Sequence, residues 1–155
     1  METLCPWETP QYLILSSNAP SLFYYSHFLA IFAAIIFVYI LISKAKESLV
    51  IRLLLSTLLL FILWAVIDTL LWASNRPDLV MFYWNLQILL EMLMYAVAFY
   101  LAYVFIRQKD LPFGQKLLLL AVVAPIVILL PTKYILPSID VSYCDAVESA
   151  FVVIY

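Results

Sequence analysis

Four stretches of about 20 mostly apolar residues follow one another with only short links between them, a pattern that leaves few folds open. They run over 22–42, 49–73, 79–106 and 117–136. The first holds one titratable group, His27. The second holds Arg52 near one end and Asp68 near the other. The third holds Glu91, and the fourth holds Pro125, Pro131 and Lys133. A backbone crossing hydrocarbon must satisfy its own N–H and C=O groups, so each stretch predicts a helix. The final residues, 146–155, read as the start of a fifth span, with a re-entrant or surface helix as the alternative. The fold class expected is all-α: a polytopic transmembrane bundle forming a single membrane domain over 1–155.

Composition agrees. The chain is 67% apolar and 12% charged, with mean hydropathy +1.08, against about 25% charged in soluble domains. Lipid is the expected partner of most of its surface. Net charge is −2, and no basic patch suggests nucleic acid. Residues 1–19 hold Glu2 and Glu8 but no Lys or Arg. That is not a cleavable signal sequence, so residues 1–21 read as a tail ahead of a retained first span. Gly114 is the single glycine, which excludes GxxxG helix pairing.

Links at Ser43–Ser48, Ser74–Asp78, Arg107–Lys116 and Pro137–Asp145 are short enough to force antiparallel neighbours. Pro77 and Asp78 mark the start of the third helix, and Pro125 is expected to kink the fourth. Lys44, Lys46 and Arg52 flank the first link, and Arg107, Lys109 and Lys116 flank the third. Arg76 and Lys133 fall on the other side. This asymmetry places the first and third links in the cytoplasm and the N-terminus outside, in a cell-membrane, multi-pass protein.

Glu91 lies near mid-membrane, where a carboxyl is costly and faces protein or water. It shares a face with Trp84, Gln87, Tyr95 and Ala98. It reads either as a ligand or proton site or as a packing residue hydrogen-bonded to a neighbouring helix. Asp68 stands between Trp64 and Trp72 on one face. His27 and Asn85 lie at similar depth, so His27, Asp68 and Asn85 form a candidate polar cluster, unless each reaches the interface separately. The ligand or polar-cluster candidates are thus His27, Asp68, Asn85, Gln87 and Glu91. Cys5 and Cys144 make no CxxC. The topology puts both outside, where a disulfide between them is permitted. No metal or cofactor is expected, because the ligating residues are too few. No catalytic motif is present: there is no HExxH, no glycine-rich phosphate loop and no Ser-His-Asp set.

The string Leu63-Trp64-Ala65-Val66-Ile67-Asp68 closes the second helix, and Trp84-Asn85-Leu86-Gln87 opens the third. With an outward N-terminus and basic inner links, the chain resembles the N-terminal seven-span region of bacterial sensor histidine kinases over residues 20–155. The resemblance implies two further spans and then a cytoplasmic kinase effector. No phosphoacceptor-histidine or ATP-binding motif lies in this chain, so what carries over is a sensor module. The function expected is signal input, relaying an outer or intramembrane stimulus to a cytoplasmic signalling domain or partner protein, with a homodimer left open. A small proton-coupled transporter or transporter half, using Glu91, and a structural membrane subunit are the alternatives.

Overall fold

A computed structural model describes residues 21–74, 76–130, 132, 134–140 and 145–150. Helix α1 spans Ser21–Lys44, α2 Leu49–Ala73, α3 Pro77–Arg107 and α4 Phe113–Leu129. The first three have 24, 25 and 31 residues. At ~1.5 Å per residue, each exceeds the ~30 Å hydrocarbon core. Among the described residues they are the three helices long and apolar enough to span a membrane. Their surfaces agree: Leu29, Phe32, Phe37, Tyr39, Leu59, Phe99 and Phe105 are exposed, which suits lipid and not water.

The helix starts follow the sequence. The Ser48 hydroxyl accepts from the Ile51 N–H at 3.3 Å and caps α2. Pro77 fills the first turn of α3, where a missing N–H costs nothing, and Asp78 adds negative charge at that helix end. At its other end α3 stops at Gln108, whose φ of 53° is left-handed. Consecutive helices pack side by side, α2 against α3 most extensively. The bundle therefore has two ends. Lys44, Lys46, Arg107, Lys109 and Lys116 gather at the basic end. The α2–α3 turn occupies the other.

Two stretches differ from expectation. The fourth span, expected over 117–136, ends at Leu129, and its 17 residues reach only ~26 Å. Pro125 removes one rung of the helix, and Pro131 lies just past the C-cap residue Leu130. The stretch 146–155, expected to open a fifth span, does not start as a helix: Asp145–Val147 forms a strand, β2, antiparallel to β1 at Ser138–Asp140, with Ile139 opposite Ala146, and helical backbone is reached only at Ala150. Residues 151–155 lie outside the described residues.

This hairpin caps the bundle end opposite the basic one. Ile135, Leu136 and Ala146 are buried with Ile126, and Met81, Trp84, Ile88 and Met92 pack against them. Val80 is fully buried between Trp84 and Ile139. The Ser149 N–H donates to the Ile135 carbonyl at 3.0 Å and pins the chain back under the hairpin.

Candidate functional site

Asp68 lies five residues before the end of α2, and His27 six residues into α1. Because neighbouring helices run antiparallel, these offsets put the two at one depth. The His27 Nε2 lies 2.9 Å from the Asp68 Oδ2, with side chains only 16% and 10% exposed. From the opposite flank the Gln87 amide donates to the Asp68 Oδ1 at 2.8 Å. One carboxyl group therefore ties α1, α2 and α3 together.

The proton inventory of this cluster is constrained. His27 Nδ1 lies 2.9 Å from the Phe23 carbonyl, which can only accept, so Nδ1 carries a hydrogen. The 2.9 Å contact between His27 Nε2 and Asp68 then needs a second proton, held on either partner. Without it, two acceptors would face each other across a low-dielectric gap. Aromatic rings surround the pair. Phe23 lies tilted against His27 at 4.1 Å between centroids, Trp64 is stacked with His27 at 6.3 Å, and Phe23 meets Trp72 edge-on at 5.5 Å. Tyr24, buried beside them, donates to the Trp72 carbonyl at 3.4 Å and fastens α1 to the end of α2.

On the α3 side Asp68 opens onto a cavity of about 210 Å³, lined by Asp68, Trp72, Trp84, Gln87, Glu91 and Glu148 with Leu71 and Ile88. The shared face read from the sequence is real for three members: Trp84, Gln87 and Glu91 all line it. Glu91 is half-buried and accepts from the Tyr95 hydroxyl at 2.9 Å. The Trp84 indole donates to Glu148 at 3.0 Å, so the hairpin supplies one wall. Glu148 was not among the site residues expected from the sequence, since it falls in the stretch 146–155 read as the start of a span.

Of the predicted residues, His27, Asp68 and Gln87 meet, and Glu91 lies in the adjoining cavity. Asn85 does not join them. Its amide donates to the Met81 carbonyl one turn back, and its Oδ1 is buried without a partner among the described residues. Asn85 and Gln87 are two residues apart, about 200° around the helix, so a face that presents one to α2 turns the other away. Cys5 and Cys144 lie outside the described residues, and so does their expected disulfide. Among the described residues no three His, Cys, Asp or Glu side chains gather in a metal-binding group.

No family model, curated protein or solved structure matches this chain. The functional argument therefore starts from the site.

Proposed function

We propose that this chain is the signal-input part of a membrane receptor, in which the state of the Asp68 site sets how α1 and α3 pack on α2. One observation carries the reading: a single buried carboxyl bonds side chains from both flanking helices beside an open cavity. Any occupant or proton change that competes for Asp68 alters both interhelical ties together. Packed helices respond to such changes by small discrete shifts. Helices α1 and α3 run unbroken to the basic end, where a cytoplasmic effector or partner protein would receive the displacement. The resemblance to the membrane region of sensor histidine kinases points the same way.

A proton-coupled transporter is the second reading, since Glu91 shares the cavity with Asp68. Such a carrier needs polar groups leading to the site from both ends. Nearer the basic end, the α2 hydroxyls of Ser56 and Thr57 donate to their own helix, at the Arg52 and Leu53 carbonyls. That favours the sensor. The two readings separate in lipid nanodiscs and sealed proteoliposomes. Spin labels at Lys46 and Lys109, with Cys5 and Cys144 replaced by serine, should change separation by about 1–2 Å in Asp68→Asn. Unchanged distances would sink the sensor. Glu91-dependent proton uptake into liposomes would establish the carrier instead.

In this proposal the basic end is cytoplasmic and the capped end faces outward, following the positive-inside rule. In the same cysteine-free background, a cysteine at Ser138 should react with an impermeant maleimide in intact cells. A cysteine at Ser48 should react only after permeabilisation. The opposite pattern would invert the topology.

A further inference from the structure

A second cavity lies at the basic end, and it has a different character. Leu93, Ala96, Val97 and Tyr100 recur at three- and four-residue steps along one face of α3. Lys116, Leu119, Leu120 and Val123 do the same on α4. Together they line a groove of about 320 Å³. Its walls are hydrocarbon except for the Tyr100 hydroxyl and the Lys116 ammonium. Both polar groups bond Asp110 in the link, Lys116 at 2.6 Å, and the Lys116 ammonium lies 5.6 Å from the centre of the Tyr100 ring.

Each wall runs into a cation at the same end. On α3 the stripe continues to Arg107, two turns beyond Tyr100 and on the same face. On α4 it begins at Lys116. Lys109 adds a third cation, and Asp110 is the one carboxylate among them. Lys116 first, and then the Tyr100 hydroxyl, hold the Asp110 carboxyl below its usual range. It therefore stays ionised and positions the Lys116 ammonium at the groove mouth. An apolar slot in a membrane-facing surface, with Lys116 at its mouth and Arg107 two turns beyond Tyr100 on the same α3 face, matches one kind of molecule. Its tail is an acyl chain and its head carries net negative charge.

We infer that the α3–α4 groove is a binding site for an anionic phospholipid, with one acyl chain in the slot and the phosphate between Arg107 and Lys116. Basic recesses between membrane helices recognise such headgroups, whereas a zwitterionic lipid brings no net charge to balance them. A second copy of this chain fits poorly, because a symmetric parallel pair would set basic end against basic end.

The test uses the purified full chain in detergent with equimolar phosphatidylglycerol and phosphatidylcholine, with retained lipid counted by native mass spectrometry. One phosphatidylglycerol should be retained in preference to phosphatidylcholine. Each cation removed should cost that preference about fivefold, and Arg107→Gln with Lys116→Gln together roughly thirtyfold. Arg107 is exposed, and the half-buried Lys116 gives up only a surface pair with the exposed Asp110, so the melting temperature without lipid should fall little. Val97→Trp, which fills the slot, should abolish retention of either lipid. Equal retention of the two lipids, a preference that survives in the double variant, or phosphatidylglycerol still held by Val97→Trp would each overturn the site. So would protein dimers in place of lipid adducts.

Discussion

Asp68→Ala should destabilise the bundle by about 3 kcal/mol, more than any other single polar-to-alanine change among the described residues. Removing the carboxyl strands two donors in a buried place, the His27 imidazole and the Gln87 amide. Breaking a buried pair from one side costs roughly 3–5 kcal/mol in soluble proteins. The low end applies here, because a chain unfolded in detergent finds other partners for its polar groups. The sign of a control separates pairing from packing. His27→Leu with Asp68→Leu removes both polar partners and refills the space, so it should recover most of the loss. Denaturant titration in micelles, followed by tryptophan fluorescence, measures each variant. Asp68→Ala within about 1 kcal/mol of the wild type would mean that the network ties nothing together. A double variant no better than the single would mean that the cost lay elsewhere.

The long helices could be read from the sequence because in lipid the backbone has one local solution and an apolar run announces it. Pro77 and Asp78 then marked where α3 begins. Depth was equally legible. Offsets from helix ends placed His27, Asp68 and Asn85 at one level; His27 and Asp68 do meet, but the third member is Gln87 and not Asn85. Rotation was not legible. Helices α1 and α2 are apolar on nearly every face, so no stripe says which side turns inward. The choice between Asn85 and Gln87 depends on that angle alone. The two strands went unread for a different reason. Strands of three residues, Ser138-Ile139-Asp140 and Asp145-Ala146-Val147, are too short to show an alternating period. Their apolar members merged with the run that follows and resembled the start of a span. Only long-range pairing, which no local pattern encodes, makes them a hairpin and brings Glu148 to the cavity.

The hairpin yields the other large prediction. Ile135→Ala should cost about 2–4 kcal/mol and loosen the cavity as well as the fold. Ile135 has no exposed surface and sits among Ile126, Leu136 and Ala146, with Trp84 and Met81 packed against the group. Shortening it leaves a void, and the surroundings refill it only in part. Its backbone carbonyl still accepts from Ser149, so the chain path survives and the loss is one of packing. The same cluster holds Trp84, whose indole bonds Glu148 across the cavity. A slack cap should therefore expose Trp84 to water. The expected readouts are a red-shifted Trp84 emission and stronger quenching by iodide, measured with Trp7, Trp64 and Trp72 replaced by phenylalanine. Ile139→Ala is the comparison: Ile139 is only half-buried at the hairpin edge, so its cost should be smaller. If Ile135→Ala matches the parent in both stability and quenching, the hairpin is not packed on α3 in the membrane. Glu148 would then leave the cavity wall, and the cavity would stand open to the Asp68 site from that side.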